Sequence, residues 1–479
     1  MPATEPAYLS AAELAALIRT RKISAVEVMR ATLDRADKAQ SILNCFITIC
    51  REDALRDAAQ ADAALARGDA IGPLHGVPLH VKDLVNTTGV RTTFGSLMHE
   101  HNVPAKDSVS VARLKATGAI LFAKTTTPEF GHMPYTEAPL FGRTRNAWDA
   151  TRTSGGSSGG AAVAVAAGIG PLAIATDAGG STRIPAACNG VVGFKQSLGL
   201  VPHDMAPEAF GNLSYITPTT RTVLDTALTL EAMAGPHPAD PHSFGQPASG
   251  FVAAAQASGN LKGLRVAWRP YLGNTVIDTE TLDLCEECAD VLGELGAIVE
   301  PMGDDMEPTE PLWLVLSTAL WNARFGDQLA QWRDRMSPTL MRQMAGGEDH
   351  TAEMLARALL ERTRIYRKVQ TWFDRFDVIA MPTLTRTALP IEERLFEPIE
   401  IEGKPVDTVR KAWYPYTHPF NLTGNPAVTL PAGLHSDGLP VAIQLVGRRG
   451  EDAKLLRAAA LFEQARPWAH LKTSIEGLT

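Results

Sequence analysis

A chain of 479 residues that is 45% hydrophobic can bury a large core, and this length would allow about three domains or one large α/β domain. Lys and Arg number 45 against 53 Asp and Glu, and the net charge of -8 gives no basic surface for nucleic acid or an anionic membrane. The composition therefore argues against these partners and favours a small molecule.

The N-terminal residues and the cysteines predict a cytoplasmic protein that does not enter a membrane. The segment MPATEPAYLS carries a Glu and no Lys or Arg before an apolar run, unlike a secretory signal. The longest apolar stretch, 161–176, is shorter than the roughly 20 residues that span a bilayer. Five scattered cysteines do not form a disulfide framework. Cys285 and Cys288 form one CxxC without a second ligand pair for zinc, so we predict no metal site there.

The first 70 residues predict helices. Two segments have the spacing of a capping box, in which a serine and a glutamate three residues later bind the first free N–H groups of a helix. These pairs are Ser10 with Glu13 and Ser24 with Glu27. A third helix is predicted over about 52–66, before Gly68.

The following segments predict an α/β fold. In the predicted strand VPLHVKDLV, apolar residues alternate with His80 and Lys82, which share the opposite face. From Asp107 a helix, the strand AILFAK, a Gly-rich turn, an Ala-rich helix and the strand LAIATD follow one another, and strands LRVAWRP, DVIAMP, PAVTLPAG and LPVAIQLVG continue the theme. Alternation of this kind predicts a central mixed, mainly parallel sheet covered by helices on both faces.

Three features of the sequence suggest chemistry when they are taken together. They are Lys82, the turn TSGGSSGGAA around Ser157 and the turn TDAGGSTRIPA around Ser181. Each residue alone would more often be a helix cap, a turn residue or a solvated lysine. The first turn could also cradle a phosphate, but a P-loop requires Gly-Lys-Ser or Gly-Lys-Thr where this chain has alanines.

These motifs resemble the amidase signature family. GPLHGVPLHVKD resembles its lysine motif, and GGSSGGAAVAVAAG followed by TDAGGSTR resembles its glycine- and serine-rich core. The resemblance extends to NAWD, GVVGFK and FNLTGNPAVTLPAG, and it is weakest between about 240 and 410. It implies one α/β domain over 1–479, which hydrolyses carboxamides without a metal or organic cofactor. Within that domain we expect a helical region at about 1–70, a catalytic core at about 71–235 and a pocket-forming or cap region at about 236–410, before the C-terminal core strands.

The resemblance implies a Ser–Ser–Lys triad. Ser181 would attack the carbonyl, Ser157 would relay the proton, and Lys82 would receive it. A free lysine has a pKa of about 10.4, so Lys82 can serve as a base only where burial or neighbouring dipoles lower its pKa. The family also implies a cis peptide bond between Gly156 and Ser157.

The loop before Ser181 is predicted to stabilise the oxyanion. Without side chains at Gly179 and Gly180, backbone N–H groups can approach the oxygen that becomes charged after attack. The predicted donors are Ala178, Gly179, Gly180 and Ser181. Gly156, Ser158, Asp177 and Arg183 are predicted to support the two turns.

Apolar residues outside the motifs are candidates for the substrate pocket. We expect Met133, Met205, Phe210, Tyr215 and Trp321 to line it. Trp321 belongs to a stripe of helical spacing that is otherwise typical of a core. His75, His80, His132 and His203 lack metal-ligand spacing and are predicted to be structural. Thr182, Ala147 and Gln196 depart from the common family pattern without removing a catalytic group.

The predicted substrates are aryl or alkyl amides, with carbamates as a further class, and a homodimer is an additional expectation. A glutamine-dependent amidotransferase component is the first alternative, and it would need a partner that accepts ammonia. A binding protein that keeps the scaffold without catalysis is the second.

Overall fold

The computed structural model describes residues 6–303 and 305–473, so the first and last residues of the predicted domain lie outside the described part. The helices of this part are α1 Ala11–Arg19, α2 Ala25–Leu43, α3 Arg51–Arg67, α4 Val109–Ala116, α5 Gly159–Ala166, α6 Arg183–Asn189, α7 Val223–Met233, α8 Phe251–Ala255, α9 Thr279–Glu294, α10 Glu310–Phe325, α11 Leu329–Trp332, α12 Pro338–Ala345, α13 Ala352–Trp372, α14 Val409–Ala412, α15 His418–Thr423 and α16 Asp452–Ala465. The strands are β1 Phe46–Ile49, β2 Pro78–Lys82, β3 Ile120–Thr125, β4 Glu137–Ala138, β5 Gly142–Arg143, β6 Leu172–Asp177, β7 Val192–Lys195, β8 Tyr215–Thr220, β9 Arg265–Trp268, β10 Ile298–Pro301, β11 Val378–Pro382, β12 Pro398–Ile401, β13 Lys404–Thr408, β14 Ala427–Leu434 and β15 Pro440–Gly447.

The main sheet is mixed, as predicted. Its strand order is β1-β3-β2-β6-β8-β7-β14-β15-β11-β9-β10. The strands β3, β2 and β6 run parallel, as do β11, β9 and β10, whereas the remaining neighbours are antiparallel. The hairpin of β14 and β15 lies between the two parallel groups and joins them into one sheet.

Helices cover the sheet, which confirms the predicted α/β class. Every residue of β2, β3, β6 and β8 is buried. Since successive side chains of a strand point to opposite faces, both faces of this part of the sheet are shielded from solvent. The Ala- and Gly-rich α5 is buried along its whole length and contacts β2, β6 and β8. Small side chains allow this close approach.

The N-terminal helices begin where the capping boxes were predicted, and both boxes are formed. Each helix also receives a carboxylate from another helix. Asp225 of α7 accepts the N–H groups of Ala11 and Ala12 at 2.9 and 3.1 Å. Asp62 of α3 does the same for the first two residues of α2, at 2.7 and 3.1 Å. Side chains distant in sequence therefore complete the caps.

The region 236–410 contributes to the sheet as well as to helices, because β9, β10 and β11 lie within it. The predicted linker at 240–260 contains α8, and Cys285 and Cys288 are buried on α9 as free thiols. The described helices include none with the length and apolar character needed to cross a bilayer.

Candidate active site

Lys82 is the last residue of β2 and is completely buried. Its Nζ atom lies within hydrogen-bonding distance of three hydroxyls: Ser157 Oγ at 2.7 Å, Ser158 Oγ at 2.8 Å and Thr176 Oγ1 at 2.8 Å. Thr176 lies on β6, the parallel neighbour of β2. The carboxyl ends of two adjacent parallel strands therefore place the amine among the hydroxyls, where such folds build their sites.

Burial lowers the pKa of the Lys82 ammonium well below its ordinary value, although the nearby Asp177 carboxylate opposes this shift. The three partners are uncharged hydroxyls, so they satisfy the hydrogen-bonding capacity of the amine without supplying a counter-charge. Compared with a lysine in water, the folded protein therefore shifts the equilibrium towards the neutral amine.

The turn that carries Ser157 lies directly before α5. The peptide bond between Gly156 and Ser157 is cis, and Gly155 has a φ of 70°, a left-handed conformation that favours glycine. A Cβ atom at Gly156 would lie 2.7 Å from backbone atoms of Pro134 and Tyr135. The close packing of the turn against these two residues therefore requires glycine at position 156. The structure thus contains the cis bond that the family resemblance implies.

Ser158 joins the two turns. Its hydroxyl donates to the Thr176 carbonyl at 3.0 Å, and its backbone N–H donates to the Ser181 carbonyl at 3.1 Å. Ser157 is buried, whereas Ser181 is partly exposed and lines a cavity. The structure therefore brings Lys82, Ser157 and Ser158 into one hydrogen-bonded cluster, and Ser158 links this cluster to Ser181.

An ion pair in the interior fixes the loop from Asp177 to Thr182. Arg183 Nε and Nη2 donate to the two Asp177 carboxylate oxygens, each at 3.0 Å, and neither side chain is exposed to solvent. Burial alone would raise the pKa of Asp177, but the charge and hydrogen bonds of Arg183, followed by Asn421, hold it far below its ordinary value. The predicted supporting role of both residues agrees with this geometry.

Of the four predicted oxyanion donors, the Gly180 N–H is already engaged. It donates to Asp177 Oδ1 at 2.8 Å, and the Thr182 N–H donates to the other carboxylate oxygen at 3.2 Å. The assignment of Gly180 as an oxyanion donor is therefore corrected, because its N–H braces the loop. The N–H groups of Ala178, Gly179 and Ser181 have no intramolecular acceptor within 6–303 and 305–473.

The carbonyls of this loop are held from the other side. Trp313 Nε1 donates to the Ala178 carbonyl at 2.7 Å, and Thr417 Oγ1 donates to the Gly179 carbonyl at 2.7 Å. A Cβ at Gly180, which has a φ of 117°, would lie 2.4 Å from Thr417 Oγ1. These contacts require glycine at position 180 and fix the direction of the neighbouring N–H groups.

A cavity of about 520 Å³ opens beside Ser181. Met133 and Trp321 line it, as the sequence predicted, and Ala178, Gly179 and Gly156 form part of its wall. The stripe on α10 faces this cavity through Trp313, Leu316, Leu320 and Trp321. The fifth member of the stripe, Phe325, is buried and stacks on Phe130 at 4.2 Å.

The three other predicted pocket residues lie elsewhere. Met205 packs against the main core, and its sulfur accepts the Asn86 N–H at 3.2 Å. Phe210 is 79% exposed, and Tyr215 is buried in β8 with Lys195 Nζ 3.9 Å from its ring centre. The loop between β7 and β8 does reach the cavity, but through Pro207, Glu208 and residues 211–214. The assignment of Met205, Phe210 and Tyr215 to the pocket is therefore corrected, because other residues of this loop face the cavity.

Two of the four histidines predicted to be structural have clear environments. His80 is buried with aromatic rings of Phe46 and Phe122 around it. His132 lines the cavity while its Nδ1 bonds the Glu129 carbonyl and its Nε2 bonds Thr339 Oγ1, each at 2.7 Å. Burial lowers the pKa of both imidazoles to about 3, so they are neutral.

The residues that sequence reasoning missed come from distant segments. Thr176 binds Lys82 directly, and its place in the strand before Ser181 is the one signal that could have identified it. Asn421 and Gln444 accept hydrogen bonds from Arg183 at 2.6 and 2.8 Å. The Thr182 hydroxyl, one of the departures from the family pattern, donates to the Thr176 carbonyl at 3.2 Å and bonds the Thr217 hydroxyl.

Comparisons with known proteins agree with this geometry. The amidase family model matches residues 27–456. An acylamidase from Rhodococcus erythropolis is 39% identical over 471 residues, which cover 97% of each chain. A glutamyl-tRNA(Gln) amidotransferase component from Moorella thermoacetica is 35% identical, with 96% of each chain covered. A solved bacterial aryl acylamidase of the amidase signature family is 29% identical, with a TM-score of 0.89 and 97% of each chain covered. The chain therefore belongs to the amidase signature family, and it is an enzyme that hydrolyses amides.

Proposed function

We propose that the protein cleaves the C–N bond of small linear carboxamides through a covalent acyl-enzyme on Ser181. The observation that carries this proposal is the buried Lys82 amine, which is hydrogen-bonded to Ser157 at 2.7 Å behind the cavity that Ser181 lines. An amine that is neutral at physiological pH can accept a proton, and a chain of hydroxyls can deliver it.

The hydrogen bonds around Lys82 indicate the direction of proton transfer. A neutral amine has two N–H groups and one lone pair. The Ser158 hydroxyl donates a hydrogen bond to the Thr176 carbonyl, so its oxygen accepts a hydrogen bond from Lys82. If the Thr176 hydroxyl accepts the second N–H, the lone pair of the amine faces the Ser157 hydroxyl. Ser157 then passes its proton to Lys82 and takes the proton of Ser181.

Attack by Ser181 Oγ on the substrate carbonyl forms a C–O bond and places negative charge on the carbonyl oxygen. We assign the N–H groups of Ala178, Gly179 and Ser181 to this oxyanion. Their loop is fixed before substrate binds, through the Asp177 carboxylate, Trp313 and Thr417. Preorganised donors of this kind lower the barrier because they need no rearrangement during reaction.

Collapse of the tetrahedral intermediate breaks the C–N bond. The proton held by Lys82 returns through Ser157 to the nitrogen, and the amine leaves while the acyl group stays on Ser181. Water then attacks the ester and gives a proton to Lys82 through Ser157. The proton returns along the same path to Ser181 Oγ as the acid is released.

The cavity favours uncharged aryl or alkyl amides as substrates. Much of its wall is apolar, with two tryptophans and several leucines from α10 and α13. Carbamates present a similar carbonyl to the nucleophile and belong to the same proposed range. The solved aryl acylamidase and the curated acylamidase support this assignment.

The amidotransferase alternative is less well supported. Similarity to the Moorella amidotransferase component is its main argument, and that similarity is lower than that to the acylamidase. Glutaminase activity that appears only with added partner proteins would favour it. A non-catalytic binding role is disfavoured because Lys82, Ser157 and Ser181 are all present.

Labelling with a fluorophosphonate probe tests the proposed nucleophile and base. We expect the label on Ser181, located by peptide mass spectrometry, and a loss of labelling in Lys82→Ala. Hydrolysis of anilides, carbamates and aliphatic amides, followed by release of the amine, then ranks the substrates. No label on folded protein would contradict the catalytic role, and turnover restricted to charged amides would contradict the substrate class.

The homodimer and the cytoplasmic location stay predictions of the sequence. Light scattering coupled to size exclusion gives the mass of the particle and tests the first.

A further inference from the structure

Arg410 is a buried cation in the wall of the substrate cavity. It lies on α14 with 5% exposure and borders both the main cavity and a neighbouring cavity of about 220 Å³. Its Nη1 donates to the Tyr414 hydroxyl at 3.0 Å, and its Nη2 donates to the His132 carbonyl at 2.8 Å. Its Nε is buried without a hydrogen-bond partner. No carboxylate in the described part of the chain lies within ion-pair distance of this guanidinium, and the carboxylate that interacts with it electrostatically, Glu310, borders the neighbouring cavity.

His418 also has a buried nitrogen atom without a hydrogen-bond partner among the described residues. This atom is Nε2, and the residue is buried and also borders both cavities. Its ring lies 4.9 Å from that of Tyr414 and 5.3 Å from that of Trp313. Two unsatisfied nitrogen atoms therefore occur in one polar patch, which we define as Arg410, Tyr414 and His418.

The patch adjoins the loop that holds the nucleophile. Arg410 Cζ lies 5.2 Å from the ring centre of Trp313, whose Nε1 donates to the Ala178 carbonyl. Thr417, the residue before His418, donates to the Gly179 carbonyl. One indole ring therefore separates the patch from the predicted oxyanion donors, and both border the same cavity.

Buried donors without partners carry a cost. A buried polar group that lacks a hydrogen bond typically costs about 1–3 kcal/mol, and a buried charge without a close counter-ion costs more. Each Nη atom of Arg410 also has a second N–H for which the described residues supply no acceptor, so a ligand in the cavity can supply one. An acceptor oxygen on the substrate would serve this purpose.

We propose that Arg410, with His418 beside it, determines specificity by binding a second acceptor oxygen of the substrate, a carbonyl or carboxylate separated by a few bonds from the scissile carbonyl. This inference rests on the proposed function and refines its substrate class: a preference for the ketone keeps the substrates uncharged, whereas a preference for the carboxylate would replace the uncharged class with anionic amides. The enzyme prefers amides with two acceptor groups over purely hydrocarbon amides of the same size. The acceptor can lie on the acyl side or on the amine side of the bond that is cleaved.

Two series of isosteric anilides test the proposal. On the acyl side, the 4-nitroanilides of pentanoic, 4-oxopentanoic and succinic acid differ only in the distal group. On the amine side, acetanilides with a para ethyl, acetyl or carboxylate group form a second series that differs only in the para group. Each is measured as kcat/KM with wild type, Arg410→Met and Arg410→Lys. Because the intrinsic reactivity of a substrate is the same for every enzyme, the ratio of wild type to variant isolates the contact.

We expect wild type to favour the ketone or the carboxylate member of at least one series. Arg410→Met should lose about ten- to hundredfold on that member and much less on the hydrocarbon member, as for a hydrogen bond to a charged donor. The ketone and carboxylate arms decide between a neutral and an anionic acceptor. Equal losses on all members of both series would show that Arg410 acts only through the His132 carbonyl, and would overturn the proposal.

Arg324→Met is the matched control, since Arg324 also borders the cavity but lies exposed over Phe130 and Phe325. It should leave the ratios between substrates unchanged. Calorimetric binding of the same amides to Ser181→Ala, with and without Arg410→Met, needs no turnover. If the ketone or carboxylate amide binds more tightly than the hydrocarbon amide, and Arg410→Met removes this difference, the inference is supported even if hydrolysis of anilides fails. Equal affinities would reject it.

Discussion

The environment of Lys82 determines what its amine can do. Burial of this lysine among three hydroxyls and no hydrogen-bonded carboxylate lowers its pKa well below the ordinary value, because burial disfavours the charged form. The same residue at the end of an exposed strand would be a solvated cation. Its proposed function as a base therefore depends on the packing of β2 against β6 and on the turn before α5.

Replacing Lys82 with Met should change how the free energy of unfolding depends on pH. The pKa of this group is lower in the folded chain than in the unfolded chain, where it is about 10.4. Between the two values the unfolded chain binds more protons, so wild-type stability falls as pH falls, by up to about 1.4 kcal/mol per pH unit. Methionine binds no proton in either state. We expect Lys82→Met to have a shallower slope in urea denaturation measured from about pH 8 to pH 10.

Lys124→Met is a suitable control, because burial also lowers the pKa of Lys124, to about 8, although it binds Val85, Thr87 and Thr92 away from the reacting groups. Its slope above about pH 8 should also decrease, whereas its amidase activity should survive better than that of Lys82→Met. Identical slopes for wild type and Lys82→Met would mean that Lys82 is charged in the folded protein.

At this scale the sequence identifies the candidate reacting groups and their nearby supports, but not the supports that are distant in sequence. Lys82, Ser157 and Ser181 lie in local motifs whose order can be read directly. Asn421 and Gln444 contact Arg183 from 238 and 261 residues away, and nothing in a single sequence links such positions. Gly180 was assigned to the oxyanion because it lacks a side chain, but the direction of its N–H is set by Asp177, which only the structure shows.

Among the elements, α1 and α2 start in the same way but at different depths. Asp225, which binds the first N–H groups of α1, is fully buried, whereas Asp62, which does so for α2, is only partly buried. A carboxylate at a helix N-terminus satisfies free N–H groups and interacts favourably with the helix dipole.

Removing the buried cap should cost more than removing the peripheral one. We expect Asp225→Ala to lower the free energy of unfolding by about 2–3 kcal/mol, because it leaves one buried and one partly buried N–H group without acceptors. Asp62→Ala should cost about 1 kcal/mol, as a partly hydrated cap does. Denaturation with urea gives both values, and kcat/KM should stay near that of wild type, since both sites are remote from Lys82. Equal costs would contradict the role assigned to burial.

Helix boundaries were predictable where caps are local, as at Ser10 and Ser24. The role of the inner face of α10 as a cavity wall was not predictable. Its tryptophans and leucines have the spacing of a core stripe, and the same spacing serves equally well for the wall of a cavity. The position of the loop that carries Ser181 decides between a core stripe and a cavity wall, and that position depends on the whole fold.

In the molecule as a whole, burial is distributed unevenly. All eight residues of α5 are buried, whereas α13 buries only Ala358, Ile365, Val369 and Trp372 among its 21 residues. Leu355, Leu359 and Leu360 on α13 are exposed, and the first two line the cavity. Segments with little buried surface open at lower free energy than the rest of a protein.

Hydrogen exchange should reveal this difference. We expect amides in the first half of α13 to exchange before those of α5 and of β6, with protection that increases when a slow substrate occupies the cavity. Exchange followed by mass spectrometry of peptic fragments measures each helix separately. Similar protection across α5 and α13 would mean that the cavity wall is as rigid as the sheet.

The position of the hairpin β14–β15 within the sheet has a consequence for how the enzyme is made. It joins β7 to β11 and lies beside Asn421 and Thr417, which hold the reactive turn. During synthesis, Lys82 and both serines leave the ribosome long before this hairpin exists. A nascent chain therefore carries every candidate reacting group while the scaffold that orients them is incomplete, and competence for catalysis requires synthesis to pass β15.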